Sequence, residues 1–240
     1  MSPLPSEARL RIVVRAVVVL ALLLGWSAAS APASQAAEGE GTERQAAVAV
    51  RGGDTLYSSG IRCTVGFNAR SGSVLYALVA GRCAQGAHTW YADAALTVPV
   101  GITAGVSFPG DDYASIRYTN TAVAYPGEVS LGPGHGVRDI TGAAKPVVGQ
   151  SICHVGRTSG HRCGTVQAVN LTVNYGGGVV VHGLFRSTIC SEPGDAGGPA
   201  FSGSTALGII VGSGGNCSSG GHTYYQPVTD WLAAYGLSVY

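Results

Sequence analysis

Apolar and polar positions alternate along most of this chain in short stretches, each broken after a few residues by glycine or proline. From Arg51 onward the pattern predicts strands at Cys63–Phe67, Val74–Val79, Ile102–Val106, Tyr113–Tyr118, Val147–Ile152, Gly164–Val173, Val179–Ile189 and Ala206–Val211. Short strands spaced by turn residues point to barrels or sandwiches rather than helical layers. Only the end carries a helical stripe: Val228, Trp231 and Leu232 fall on one face, Pro227 suits a first turn and Gly236 can stop it. One C-terminal helix is predicted. The Gly/Pro-rich stretch Leu131–Pro146 divides the body into two halves, 51–138 and 139–240, with no sequence repeat between them.

The first residues follow a different pattern. Arg11 and Arg15 precede an unbroken apolar run, Ala16–Trp26, and then small residues from Ser27 to Ala37. This reads as a secretory signal peptide, residues 1–37, cleaved between Ala31 and Ala37. A membrane anchor is the rival, but the run is about half of the roughly 20 residues a spanning helix needs. Glu38–Ala47 is polar, acidic and rich in Ala and Gly, so residues 38–50 read as a linker or short pro-segment ahead of the folded body, 51–240.

Composition narrows the picture. With 37 glycines among 240 residues, 11% charged residues and a mean hydropathy of +0.25, the chain lacks the charge-rich signature of disorder. A net charge of +1 argues against nucleic acid and against anionic membranes as partners. Six cysteines, Cys63, Cys83, Cys153, Cys163, Cys190 and Cys217, fit three disulfides in an oxidising compartment, with about 15 pairings open and the sequential one simplest. Cys153, His154, His161 and Cys163 also invite a zinc reading, but their spacing matches zinc-finger patterns poorly and no metal is expected.

The chemistry concentrates in Cys190-Ser191-Glu192-Pro193-Gly194-Asp195-Ala196-Gly197-Gly198-Pro199. This segment resembles the nucleophile loop of chymotrypsin-fold serine proteases, above all the bacterial streptogrisin and α-lytic branch, where Gly-Asp-Ser-Gly-Gly is expected. Ordered matches run through most of the body: Arg62-Cys63-Thr64-Val65-Gly66-Phe67-Asn68, Ala80-Gly81-Arg82-Cys83, Asp111-Asp112-Tyr113-Ala114-Ser115-Ile116-Arg117, Val173-Asn174-Tyr175-Gly176, Ser204-Thr205-Ala206-Leu207-Gly208 and Tyr225-Gln226-Pro227-Val228-Thr229. The resemblance implies an all-β fold of two packed six-stranded antiparallel barrels with a C-terminal helix. It also implies the pairings Cys63 with Cys83, Cys153 with Cys163 and Cys190 with Cys217.

In that family a histidine deprotonates the serine, a buried aspartate orients the histidine, and backbone N–H groups hold the oxyanion. Position by position, the resemblance assigns the aspartate to Asp112. It places Arg82 where the histidine belongs and Ala196 where the serine belongs. The N–H groups of Gly194 and Ala196 fall at the oxyanion donors, and Glu192, Val211, Gly212 and Ser213 at the substrate-binding wall. A guanidinium stays protonated and cannot act as a base, and a methyl group cannot attack a carbonyl. Losing either group costs a serine protease on the order of a million-fold in turnover, and the losses do not add. His88, His135, His154, His161, His182 and His222 all fall outside the matching position.

Further departures accompany these two. Val211 stands where a serine usually supports the aspartate, and Ser213 brings a side chain where a glycine usually keeps the specificity pocket open. His154, with Arg157 nearby, stands where an arginine usually holds the aspartate at Asp195, so this loop is expected to be held less firmly. Several replacements together read as natural divergence rather than one engineered change. Arg82 has two outcomes open to it, an ion pair with Asp112 or an excursion to solvent. Gly194, Gly197 and Gly198 serve tight turns as well as an oxyanion loop, Tyr224, Tyr225 and Trp231 read as core, and His222 as surface.

The expected function is a secreted, catalytically defective serine-protease homologue whose inter-barrel cleft takes a peptide or protein ligand. The alternatives are an active endopeptidase and a structural or decoy protein with a closed cleft. A monomer without cofactor is expected.

Overall fold

The computed structural model describes residues 48–240. The signal-peptide expectation and nearly all of the linker lie outside the described residues. Val48–Val50, expected at the end of the linker, join the fold: Val50 is buried and donates its N–H to Ala124 O at 2.9 Å.

The first half forms β1 (Thr55–Ser58), β2 (Ile61–Thr64), β3 (Phe67–Ser71), β4 (Val74–Val79), a one-turn helix α1 (Gly81–Ala84), β5 (Thr89–Tyr91), β6 (Pro99–Ser107) and β7 (Tyr113–Tyr118). The hairpin β8 (Glu128–Ser130) and β9 (Val137–Asp139) leads to β10 (Gly142–Ala143). The second half contains β11 (Ser151–Gly156), β12 (Gly160–Gly176), β13 (Val179–Ser187), β14 (Pro199–Ser202), β15 (Thr205–Asn216) and β16 (Gly220–Pro227). The chain ends with α2 (Val228–Tyr235) and β17 (Ser238–Val239).

Two curled sheets result. The first has the order β17-β3-β4-β7-β6-β5-β1-β2. Its outer members β2 and β3 are consecutive pieces of one bent strand interrupted only at Val65 and Gly66, so the chain itself closes a six-stranded barrel to which β17 is appended. In the second, β15-β14-β11-β12-β13-β16 closes by direct pairing of β15 with β16, and β10 lies parallel to β15 on the outside. Closure removes the open edges that would otherwise invite aggregation.

Inward-facing residues fill each barrel: Leu56, Trp90, Val100 and Ile116 in the first, Ile152, Phe185, Leu207 and Tyr225 in the second. A third cluster takes Phe67, Leu78 and Tyr113 from one barrel, Leu184, Ile209 and Val211 from the other, and Val228 and Trp231 from α2. This cluster welds the barrels along the seam beside the candidate site. Trp231 stacks on Tyr113 with ring centroids 5.1 Å apart and donates Nε1–H to Ser115 Oγ at 3.1 Å, tying α2 to β7.

Several expectations shift in detail. Val147–Ile152 is not one strand: Val147 and Val148 are exposed in a turn closed by Gln150 N–H on Val147 O, and β11 starts only at Ser151. Cys63–Phe67 is divided at its bend. The C-terminal helix is present, with Val228, Trp231 and Leu232 buried and Gly236 closing it in a left-handed conformation, while Pro227 precedes the first turn rather than starting it. It is joined by an unexpected second helix, α1, which carries Arg82.

Candidate active site

The site lies where the α1 turn, the start of β7, the β12–β13 hairpin and the loop after Cys190 meet. Asp112 immediately precedes β7 and is fully buried. Its backbone N–H donates to Gln226 Oε1 on β16 at 3.0 Å, so a side chain of the second barrel fixes the entry of a strand of the first. Arg82 directs both its backbone and its side chain at this carboxylate, with N–H donating to Oδ1 at 2.9 Å and Nε standing 3.2 Å from Oδ2. The second approach is ionic without hydrogen-bond alignment, which leaves Oδ2 a buried oxygen with no hydrogen-bond donor among the described residues. Val211, at the expected serine position, has no hydroxyl to offer it.

Burial pushes the Asp112 carboxyl above the usual carboxylate range, while the Arg82 charge and the N–H groups of Arg82 and Gly81 pull it back. Of the two outcomes open to Arg82, the ion pair is the one formed. The other face of the guanidinium lies 5.2 Å from the ring centre of Tyr175, a cation–π contact. Tyr175 in turn covers Gly212 and donates its hydroxyl to Val211 O at 3.4 Å. Burial pushes the Tyr175 phenol up to about 12, so it stays protonated. Arg82, Asp112, Tyr175, Val211 and Gly212 therefore form one packed group.

Ala196 sits in the loop between β13 and β14, half-buried. Gly194 has φ +103°, and among the described residues neither its N–H nor that of Ala196 is taken by a protein acceptor. The next two amides are engaged, Gly197 N–H with Ile210 O and Gly198 N–H with Asp195 O. Ala196 and Gly194 share a cavity of about 80 Å³ with Thr64, the Cys63–Cys83 disulfide, Arg62 and Arg157.

The Asp195 carboxylate departs from expectation. It accepts backbone N–H groups of Thr158 at 2.7 Å, Ser159 at 3.1 Å and Glu192 at 2.8 Å, and neither His154 nor Arg157 bonds to it. Gly156 makes this possible, since a Cβ there would stand 2.4 Å from the Asp195 carboxyl carbon. A turn of backbone donors thus anchors Asp195, and the loop is held more firmly than expected from His154 at its position. His154 bonds instead through Nδ1 to Tyr225 Oη at 2.8 Å, and that hydroxyl continues to Ser187 Oγ at 2.8 Å. Burial lowers the His154 imidazole to about 4, so it is neutral.

The remaining expected residues scatter. Glu192 turns to accept Cys217 N–H at 2.8 Å, Val211 is buried in the seam, and Ser213 is exposed opposite Thr223. All three disulfides form as the resemblance implies. Cys153, His161 and Cys163 do converge, but both sulfurs are already bonded to each other and are not thiolate ligands. Trp231 and Tyr225 are core; Tyr224 is half-buried and pairs with His222 at 3.1 Å. Among the described residues the histidine ring bonds reach Tyr225, Cys163, Thr172 and Tyr224, and none reaches a serine. Thr172 and His182 are exposed on the outer β12–β13 hairpin and do not line the Ala196 cavity. Sequence reasoning gave no role to Tyr175 or Gln226, although both fall inside segments that carry the resemblance.

The chain is similar over most of its length to known proteins. The Trypsin family profile matches residues 52–233. Streptogrisin-A of Streptomyces griseus is 44% identical over 79% of this chain, which spans 61% of that protein's length. Serine protease 2 of Streptomyces fradiae is 49% identical over 72% of this chain and is covered completely. Among solved structures, an α-lytic protease homologue, N4, superposes with a TM-score of 0.75 at 59% identity, covering 80% of this chain and all of its own.

Proposed function

The chain belongs to the trypsin family, and from that membership we propose that it is a secreted member that binds peptide or protein segments in the inter-barrel cleft without hydrolysing them. The observation that carries this reading is the Arg82–Asp112 contact at 3.2 Å, with Cys83, the next residue after Arg82, lining the same cavity as Ala196. In the position of the general base stands a cation already committed to the aspartate, and in the position of the nucleophile stands a methyl group. Neither can start acyl transfer.

What a binding cleft would need is still present. Gly194 keeps its positive φ, and the N–H groups of Gly194 and Ala196 have no protein acceptor among the described residues. The Asp195 anchor and the Cys190–Cys217 bridge hold the loop that carries them. Preorganised donors of this kind bind a carbonyl oxygen whether or not a nucleophile follows.

Secretion is supported by the leader-like first residues and by three disulfides, which suit an oxidising compartment. No helix among the described residues is long and apolar enough to cross a membrane. The test is an assay of the purified protein against a broad peptide mixture, together with labelling by a serine-directed phosphonate. No cleavage and no covalent adduct are expected. Turnover that survives purification and disappears in Asp112→Asn would overturn the reading.

A further inference from the structure

Three arginines approach the silent centre, and they are not equivalent. Arg82 is neutralised by Asp112. Arg62 and Arg157 are exposed, and among the described residues no carboxylate lies within salt-bridge distance of either. Both line the same small cavity, together with Gly194, Ala196 and the Cys63–Cys83 disulfide. Arg157 lies across the loop itself: a Cβ at Gly194 would stand 3.4 Å from its Nη2. Thus two arginines from different barrels, Arg62 on β2 and Arg157 in the β11–β12 turn, neither with a carboxylate partner among the described residues, border one concavity in a chain whose net charge is only +1.

We infer that this cavity is a carboxylate subsite, and that the segment bound across Ala196 presents an Asp or Glu side chain to Arg62 and Arg157. The inference rests on the reading of the cleft as a non-hydrolysing peptide site and adds the chemical class of its ligand. The cavity, about 80 Å³, has room for a compact polar head group such as a carboxylate. Guanidinium forks are matched to carboxylates, and low-dielectric walls focus their field into a concavity. The cavity lining includes none of Val211, Gly212, Ser213 or Tyr175, so the subsite is separate from the wall expected to receive the ligand on the Val211 side.

The experiment uses a set of N-acetylated, C-amidated fluorescent hexapeptides in which one Glu is moved through every position, each matched to its Gln counterpart. Anisotropy titrations should find at least one position where Glu binds about tenfold more tightly than Gln. That preference should shrink as NaCl rises from about 0.05 M to about 0.5 M. It should vanish in R62A/R157A, where the Glu peptide and its Gln counterpart should bind alike. The charge-reversed R62E/R157E, checked for folding by circular dichroism, should instead prefer Lys at that position. If Glu and Gln peptides bind alike at every position, or the preference persists in R62A/R157A, the carboxylate subsite is wrong while peptide binding by the cleft stands. If no peptide binds, both fall.

Discussion

Arg82 Nε stands 3.2 Å from Asp112 Oδ2, with the guanidinium on the face of Tyr175. In a working triad the buried aspartate orients a neutral imidazole. Here the same carboxylate faces a permanent cation, which offsets part of the cost of burying Asp112. The arginine side chain is 32% exposed and the aspartate wholly buried, so the pair is asymmetric: the aspartate depends on the arginine more than the reverse.

Restoring the chemistry tests whether the scaffold still presents a usable site. The double substitution Arg82→His with Ala196→Ser is expected to raise peptidase turnover by about a thousandfold over the parent, well short of the roughly million-fold a complete triad supplies. Val211 cannot support Asp112 with a hydroxyl, and this deficit caps the recovery. Either substitution alone should leave turnover at the parent level, because nucleophile and base act as a unit. Initial rates on chromogenic peptides read both outcomes.

Removing Arg82 exposes the dependence of Asp112 on it. Burial holds the Asp112 carboxyl above its unfolded value, so the folded state binds the extra proton and this term favours folding at low pH, fading as pH rises through the folded pKa. In Arg82→Ala that pKa climbs further, because the lowering charge is gone. The stability gap between parent and variant is therefore expected to be small near pH 4 and to open toward neutrality. There it should reach about 1–3 kcal/mol, less than the roughly 3–5 kcal/mol of a fully buried pair because the arginine is partly solvated. Urea titrations across this range measure it.

These features were unequally visible in the chain. Val74–Val79 and Tyr113–Tyr118 appear as strands at the expected bounds because their alternation is unbroken. The strand Gly220–Pro227 carries three turn-forming residues and the strand Pro199–Ser202 opens on proline, so local composition hid pairings that barrel closure imposes. At the site, the expectation that Ala196 and Arg82 stand at the serine and histidine positions rests on residue identity and the resemblance alone. The support of Asp195 was not legible, because it comes from backbone N–H groups of Thr158 and Ser159, which any sequence could supply. Tyr175 was likewise hidden, since its role depends on the β12–β13 hairpin folding back over Gly212.

His154 should dominate the acid side of the stability profile. Its imidazole is held down to about 4 from 6.5 by burial, and Nε2 has no partner among the described residues. The unfolded chain therefore binds more protons between those values, and stability is expected to fall as pH drops from about 6.5 to about 4, by about 3 kcal/mol in total. His154→Gln keeps a polar group near Tyr225 but does not titrate, so its profile should be flatter over the same interval. Thermal melts of the two proteins at matched pH separate this slope from the opposite trend at Asp112.

Gly197 has a structural role independent of catalysis. Its φ is +90°, and a Cβ there would stand 2.4 Å from Thr64 O, a backbone atom of the opposing barrel that cannot swing aside. Gly197→Ala is therefore expected to cost about 2 kcal/mol or more, combining left-handed strain with a steric clash across the seam. Ala196→Ser, one residue away, should change stability by less than about 1 kcal/mol, because its side chain is half-exposed at the edge of the 80 Å³ cavity. Chemical denaturation of both variants decides it. A large loss at 197 beside a small one at 196 would mean that the loop's shape is set by packing between the barrels and not by the side chain at 196.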